Sequence, residues 1–172
     1  MIINRSISGN NCRDGIRLCT NNLTFGNQDF GYYETIGGGA GAGPGWNGQS
    51  GVHTHMTNTR ITDPEILEKR YPVLLKQFAL RKNSGGDGKY CGGNGLFREI
   101  EALAPLQVSI LSERRILPPH GLYGGEDGKC GCNTITQDGQ IINIGGKNSI
   151  RLGTGDSICV RTPGGGGYGK KN

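Results

Sequence analysis

The alternation of apolar and polar positions is clearest in residues 105–113 (PLQVSILSE), where every second side chain from Leu106 to Ile110 is apolar. A period of two is typical of a β-strand with one face buried. The apolar segments 73–80 and 96–103 predict two further strands, although the first also permits a continued, kinked helix. Glycine-rich turns separate these segments and favour short strands joined by loops.

Residues 132–172 show the same pattern in four shorter segments. Turns around Asp138-Gly139 and 153–156 separate them, and an Asp-Gly step between apolar segments is a strong hairpin signal. We therefore expect a C-terminal β-meander with strands at 133–136, 140–144, 149–152 and 157–161.

One short helix is predicted near 63–71. Thr62 or Asp63 can cap its first turn, and Pro64 suits the first helical position because its φ is already helical. Pro72 ends the helix because proline cannot donate the next hydrogen bond. A single short helix among many strands predicts an α+β fold that is mostly β.

The chain has 172 residues, which suits one domain or one piece of a longer protein. Residues 1–29 are polar and rich in asparagine, so we expect a poorly defined edge on the surface. Residues 30–131 are expected to form a glycine-rich α+β core. Residues 132–172 are expected to add the meander and a glycine-rich tail.

Glycine is the outlier of the composition. It accounts for 33 of 172 residues, whereas roughly 7% is usual. The tract at 37–45 (GGGAGAGPG) cannot form a stable helix or a packed strand, because glycine loses much backbone freedom on folding and has no side chain to bury. We expect another backbone segment or a ligand to lie very close to it.

The charge, the apolar stretches and the cysteine content limit the classes of protein to which the chain can belong. The net charge is +5, but the basic residues occur as scattered pairs, so we expect no nucleic-acid partner. No apolar stretch approaches ~20 residues, so we expect no membrane span. The N-terminus lacks the apolar core of a signal peptide, and the 6 cysteines are then expected to be free thiols of a cytoplasmic protein.

Two glycine runs imitate nucleotide-binding motifs. Residues 37–42 match G-x-G-x-x-A in spacing, but Pro44 follows, and no helix can start there to bind a pyrophosphate. Residues 164–170 match G-x-x-x-x-G-K, but Lys171 stands where the magnesium-binding Ser or Thr would be. We expect no nucleotide site in either run.

Two of the three histidines, His53 and His55, are separated by one residue. On a strand both imidazoles lie on one face, a geometry that metals use, and each can also act as a general acid or base. Thr57, Asn58 and Arg60 offer hydrogen-bond donors to a carboxylate. A small-acid site and a capped turn before the helix are equally compatible with this pattern. A metal would need a third ligand from elsewhere: His120, Asp63, Cys130 or Cys132.

Arg114 and Arg115 follow the strand at 105–113. An arginine pair in this place is either an anion clamp or a solvated strand edge. The solvated edge is the default expectation.

Four segments carry a specific combination of motifs: YYETIGGGAGAGPGWNGQSGVHTHMTNTRITDPEILEKRYPVLL (32–75), SGGDGKYCGGNG (84–95), LSERRILPPHGLYGGEDG (111–128) and GDSICVRTPGGGGYG (155–169). Together they resemble the hydantoinase B family, and within it the ATP-dependent 5-oxoprolinases. The family also includes N-methylhydantoinases and enzymes of the acetone carboxylase type. The resemblance implies that residues 1–172 are the C-terminal fragment of a much longer polypeptide.

The resemblance also implies a reaction, the ATP-driven hydrolysis of 5-oxo-L-proline to L-glutamate in glutathione metabolism. It places ATP and Mg²⁺ in a hydantoinase A-type half of the same polypeptide, so the isolated fragment is expected to be inactive, and the full enzyme is expected to be a homodimer. The alternatives are a purely structural role in assembly, and a related N-methylhydantoinase or carboxylase activity. Because the matched stretch covers them, we expect His53 and His55 to be catalytic, and Thr57, Asn58, Arg60, Gly38 and Gly39 to bind the substrate.

Overall fold

The computed structural model describes residues 20–53 and 60–171, and within these ranges the chain forms nine strands and one helix. The strands are β1 (Asn21–Gly26), β2 (Gly31–Thr35), β3 (Val73–Arg81), β4 (Gly95–Ala102), β5 (Leu106–Ser112), β6 (Cys132–Gln137), β7 (Gln140–Asn143), β8 (Lys147–Leu152) and β9 (Ser157–Arg161). The helix α1 is Pro64–Arg70. The expected α+β fold, mostly β, is confirmed.

The strands form two antiparallel sheets. The first has the order β2-β1-β5-β8 and the second the order β3-β4-β9-β6-β7. Their buried side chains belong to one hydrophobic cluster, with Leu23 and Val108 from the first sheet and Ile100 and Val160 from the second. The two sheets therefore pack face to face as a sandwich.

A buried ion pair joins the two sheets across this core. Arg98 of β4 is 1% exposed and Glu34 of β2 is 5% exposed. Nε and Nη2 of Arg98 donate to the two carboxylate oxygens of Glu34 at 2.6 and 2.9 Å. The guanidinium also lies 5.1 Å from the ring centroid of Phe78. Because both charges are out of water, this two-point geometry is what makes their burial tolerable.

The predicted helix and three of the predicted strands are confirmed. Asp63 caps α1, and its carboxylate accepts a hydrogen bond from the Glu65 N–H at 3.0 Å. Leu67 fixes the helix to the sandwich because it is fully buried. The strands β3, β4 and β5 coincide with the three apolar segments, so the segment after Pro72 is a strand and not a kinked helix.

The prediction of a C-terminal β-meander in 132–172 is wrong, although its four strands exist. Of these four strands, only β6 and β7 form a hairpin, in which Asp138 and Gly139 adopt φ values of 50° and 74°. β8 crosses to the first sheet and pairs with β5, and β9 lies between β4 and β6 in the second. A period of two shows which face of a strand is buried but not which strand it pairs with. Both sheets thus combine strands from 30–131 with strands from 132–172.

Part of the segment 1–29, expected to be a poorly defined edge, is an interior strand. β1 lies between β2 and β5, and it buries Asn21 as completely as Leu23. The Asn21 side chain donates to the Ile36 carbonyl at 3.2 Å, so its amide is satisfied inside the core. A buried asparagine gives the strand a polar composition, which hides it in the sequence. Residues 1–19 lie outside the described ranges.

Candidate functional site

Four glycine-rich segments pack against one another at one end of the sandwich. We call them the glycine bundle and define it as residues 37–52, 84–95, 119–128 and 163–169. β2, β3 and β9 lead into the bundle, and β4 leads out of it. The prediction that another backbone segment lies close to the tract 37–45 is confirmed.

Segment 163–169 is the centre of the bundle and bonds to the other three segments. The Gly165 N–H donates to the Gly93 carbonyl, and the Gly165 carbonyl accepts from the Gly86 N–H, both at 2.8 Å. Its bonds to the other two segments include Ala42 N–H to Gly166 carbonyl (2.9 Å) and Leu122 N–H to Gly167 carbonyl (2.9 Å). Backbone hydrogen bonds therefore hold together segments that carry few side chains.

The bundle leaves no room for side chains at its closest contacts. A Cβ atom on Gly165 would lie 1.9 Å from the Ala40 carbonyl oxygen, and one on Gly39 would lie 2.0 Å from the Gly93 carbonyl oxygen. Both obstacles are backbone atoms, which cannot rotate away. Glycine is needed at these positions because two backbones touch.

The bundle also engages the backbone groups that the sequence assigns to substrate binding. The Gly38 N–H donates to the Val52 carbonyl at 3.1 Å, and the Val52 N–H returns a bond to the Gly38 carbonyl at 2.8 Å. The Gly39 N–H donates to the Pro163 carbonyl at 3.0 Å. These bonds fix the stretch that leads to His53. The role of Gly38 and Gly39 in substrate binding stays a prediction.

His53 follows Val52 and stands where the chain leaves the bundle. Its side chain is partly buried, and this burial lowers the pKa of His53 below its ordinary value. The neutral imidazole is therefore favoured at neutral pH, which is the form that can accept a proton. His55, Thr57 and Asn58, which the sequence places in the same site, lie outside the described residues.

Arg60 is exposed at the far side of this stretch, and Thr62 ties the chain back to the core. The Tyr32 hydroxyl lies 2.9 Å from both Thr62 Oγ1 and Glu34 Oε2. It donates to the carboxylate, which only accepts, and so accepts from the threonine. Burial, more than the neighbouring charges, raises the pKa of Tyr32 to about 12. Thr62 is thereby connected to the Arg98–Glu34 pair.

Metal-binding chemistry is sparse in the part of the chain that the structure describes. No group of three His, Cys, Asp or Glu side chains there could hold a metal ion. His120, one of the possible third ligands, has its Nδ1 3.4 Å from the Asp127 carboxylate. Burial raises the pKa of the Cys159 thiol, which keeps it protonated. The described cysteines are free thiols: Cys91, Cys130, Cys132 and Cys159.

A cleft of about 850 Å³ opens between the sheets, where β5 ends and β6 and β8 begin. None of the described residues expected to be catalytic or to bind the substrate, namely Gly38, Gly39, His53 and Arg60, lines it. It is lined instead by residues 112–117, 131–133 and 145–147 together with Asn143. The arginine pair 114–115 therefore lies in a concave site and not along a flat edge.

Arg115 is fixed inside this cleft by buried asparagines. Its Nε and Nη2 donate to Asn133 Oδ1 at 3.2 and 2.8 Å, and Nη2 donates to Asn21 Oδ1 at 2.9 Å. Asn133 is 1% exposed and donates to Ser112 Oγ at 2.8 Å and to the Gly145 carbonyl at 2.7 Å. Arg115 is therefore not a solvated edge residue. Its two asparagine partners carry no periodic signal that sequence reasoning could use.

Comparison with known proteins identifies the family. Residues 6–171 match the family described as hydantoinase B/oxoprolinase. The chain belongs to this family. Among curated members of the hydantoinase B/oxoprolinase family, 5-oxoprolinase 1 of Arabidopsis thaliana is 62% identical over 152 residues, which cover 88% of this chain and 12% of the plant protein. The 5-oxoprolinase of Dictyostelium discoideum is 59% identical over 155 residues, with coverages of 90% and 12%.

A solved structure of a related enzyme shares the fold. The ATP-dependent caprolactamase from Pseudomonas jessenii superposes with a TM-score of 0.69 and 27% sequence identity, covering 88% of this chain and 28% of the caprolactamase chain. This hydantoinase B/oxoprolinase chain spans only 12% of the length of the two curated relatives. Within the described ranges, no helix is both long enough and apolar enough to cross a lipid bilayer.

Proposed function

We propose that this chain is the C-terminal region of an ATP-dependent 5-oxoprolinase. The complete enzyme hydrolyses 5-oxo-L-proline to L-glutamate, acts in the cytoplasm and serves glutathione metabolism. The observation that carries the proposal is the 62% identity with 5-oxoprolinase 1 of Arabidopsis thaliana across 88% of the chain. The match to an ATP-dependent caprolactamase supports lactam opening as the reaction type, because both names describe hydrolysis of a cyclic amide.

The chemistry explains why ATP is consumed. An unstrained lactam resists water because amide resonance stabilises its carbonyl group. Transfer of a phosphoryl group from ATP to the amide oxygen makes that oxygen a leaving group. Two waters are then consumed as the ring C–N bond breaks and phosphate departs, which leaves L-glutamate, ADP and phosphate. Such a site needs donors for the developing negative charge and protection from bulk water.

ATP and Mg²⁺ bind outside this chain, in a hydantoinase A-type half of the same polypeptide, and the full enzyme is a homodimer. The glycine tract does not suit a nucleotide, because the N–H groups of Gly38 and Gly39 already donate to backbone carbonyls. The tract also turns back on itself, with the Gly43 N–H donating to the Trp46 carbonyl at 3.1 Å, and does not enter a helix that could receive a pyrophosphate.

Within this chain we assign the reaction to the stretch around His53 and Arg60. The neutral imidazole of His53 is suited to accept a proton from water, and the exposed guanidinium of Arg60 is suited to hold the substrate carboxylate. The stretch is fixed at both ends, where Val52 bonds to Gly38 and Thr62 to Tyr32. The remaining assigned roles are catalysis by His55 and substrate binding by Thr57, Asn58, Gly38 and Gly39.

A structural role is the second candidate, and the glycine bundle favours it. The N–H groups of Gly38, Gly39 and Gly165 all bond within the chain, so this end of the sandwich is rigid without any ligand. A rigid surface of this kind suits assembly with the hydantoinase A-type half. A related N-methylhydantoinase or carboxylase activity would differ only in the substrate.

The test uses the complete parent protein. We expect ATP hydrolysis that depends on 5-oxo-L-proline and releases L-glutamate, and no such activity from the isolated 172-residue chain. Removing a proton-transfer group should lower kcat by roughly 10²-fold or more. His53→Gln is therefore compared with His120→Gln, which changes an exposed histidine of the glycine bundle that has no assigned role in the reaction. Loss of assembly in His53→Gln would favour the structural role. Turnover of a hydantoin in place of 5-oxoproline would favour the related activities.

A further inference from the structure

We propose that the cleft containing Arg114, Arg115 and Lys147 is a binding site for a small organic anion. A carboxylate or phosphate group contacts the basic side chains, and the apolar part of the ligand packs on Ile116 and Leu117. The inference goes beyond the proposed function and does not depend on it, since none of these residues belongs to the stretch around His53.

The described lining of this cleft carries more positive than negative groups. Among the described residues that line it, Arg114, Arg115 and Lys147 are basic and Glu113 is the one acidic residue. Arg114 donates one long bond, 3.4 Å, to the Pro118 carbonyl. Neither Arg114 nor Lys147 forms an ion pair with a carboxylate in residues 20–53 or 60–171. Concave surfaces lined by one sign of charge concentrate counter-ions, and a guanidinium can bind a carboxylate or phosphate through two parallel bonds.

The backbone of Arg114 adopts a conformation that is unfavourable for an arginine. Arg114 has φ 58°, in the left-handed region that is unfavourable for residues other than glycine. The Gly131 N–H holds this conformation by donating to the Arg114 carbonyl at 2.9 Å. Seven described glycines adopt positive φ, and Arg114 is one of four other described residues that do so. An arginine in strained backbone conformation is a feature typical of binding and catalytic sites.

Hydrogen bonds within the chain pre-form the walls of the cleft. Asn133 connects β6 to the Gly145 carbonyl and to Arg115, and all these bonds lie between 2.7 and 3.2 Å. A Cβ atom on Gly131 would lie 2.5 Å from Arg115 Nη1, so the guanidinium packs directly on the backbone. Rigid walls reduce the entropy that a ligand must lose on binding.

The rim of the cleft supplies an apolar surface. Ile116 is 88% exposed and Leu117 is 65% exposed, and both line the cleft. Isolated exposed apolar residues are common on proteins. Here two of them adjoin basic side chains in one cavity, which is the combination that recognises an organic acid.

Calorimetric titration of the complete protein, without ATP or 5-oxoproline, tests the site. The probes are pentanoate, inorganic phosphate and pentan-1-ol, which has the length of pentanoate but no charge. We expect saturable binding of pentanoate or phosphate and weaker binding of pentan-1-ol. The preferred anion shows whether the site recognises a carboxylate or a phosphate. No saturable binding of either anion at millimolar concentration, or binding of pentan-1-ol as tight as that of pentanoate, overturns the proposal.

Matched variants separate binding from folding. Arg114→Gly removes the charge but suits φ 58°, so we expect an unchanged or higher melting temperature and roughly tenfold or more weaker anion binding. Lys147→Gln should weaken binding in the same direction. The controls are Asn83→Gly, which changes another left-handed residue (φ 59°), and Lys82→Gln, which removes an exposed charge outside the cleft. Anion binding that is equal in Arg114→Gly, Lys147→Gln and both controls contradicts the assignment.

Discussion

Replacing Gly165 by alanine tests the claim that the glycine bundle is held by contacts between backbones. The new Cβ would lie 1.9 Å from the Ala40 carbonyl oxygen, so the two segments must separate by roughly 1 Å to relieve the overlap. That movement stretches the two bonds that join these segments, from the Gly39 N–H to the Pro163 carbonyl (3.0 Å) and from the Ala42 N–H to the Gly166 carbonyl (2.9 Å), beyond hydrogen-bonding distance.

The magnitude follows from these two effects. Two lost hydrogen bonds cost about 1–3 kcal/mol, and overpacking costs about 1–3 kcal/mol more. The lower entropy of an unfolded chain with alanine returns roughly 0.5 kcal/mol. We therefore expect Gly165→Ala to lower the free energy of unfolding by about 2–5 kcal/mol.

Urea denaturation followed by tryptophan fluorescence measures this loss, because Trp46, the single tryptophan, lies in the bundle against Gly43. The matched control is Gly31→Ala, since a Cβ on Gly31 meets nothing within 4 Å. The control should change stability by less than about 0.5 kcal/mol. If Gly165→Ala is as stable as Gly31→Ala, the bundle is not close-packed and the reasoning is refuted.

Three further predictions concern ionisable groups that are wholly or partly buried. Glu34→Gln leaves the Arg98 charge buried without its partner and should lower the free energy of unfolding by about 3–5 kcal/mol. The double variant Glu34→Gln/Arg98→Met should lose less stability, because no unpaired charge remains buried. Thermal melts of the two variants measure the losses, and equal losses would contradict this prediction. The pKa of Tyr32 is raised from 10.0 to about 12, so its contribution to protein stability is complete below pH 10 and is lost as pH rises towards 12. Urea denaturation at a series of pH values measures this decline, and Tyr32→Phe should abolish it. Because burial lowers the pKa of His53, the unfolded chain binds the proton more readily, and protein stability should fall as pH drops through 6.5. An NMR titration of the His53 ring protons measures this pKa, and a midpoint at or above 6.5 would contradict the burial argument.

The elements with clear periodicity were predictable from the sequence, and those built on buried polar residues were not. β5 shows a regular alternation and lies where the pattern predicts it. β1 and β2 bury Asn21 and Glu34, and a buried polar side chain is indistinguishable from a surface one until its partner is known. The partner of Glu34 is Arg98, which lies 64 positions further along the chain, so no local pattern could reveal it.

In the candidate site, too, contacts between distant segments were not predictable from the sequence. Composition predicts that the tract 37–45 touches another backbone, because nothing else stabilises such a segment. It does not predict that Pro163 and Gly165 provide the contact, since these residues are distant in sequence and carry no complementary signal. The pair Arg114-Arg115 likewise gives no indication of a cleft, because the cleft depends on Asn133 from another sheet.

The most direct test of the functional account is the product balance of the complete parent protein. The account predicts that each 5-oxo-L-proline consumed yields one L-glutamate, one ADP and one phosphate. It also predicts that His53→Gln lowers the rate of glutamate release by roughly 10²-fold or more while the protein remains folded and assembled. Glutamate release at the normal rate from folded His53→Gln would contradict the assigned site. Absence of 5-oxoproline turnover in the intact, folded parent would contradict the proposed function itself.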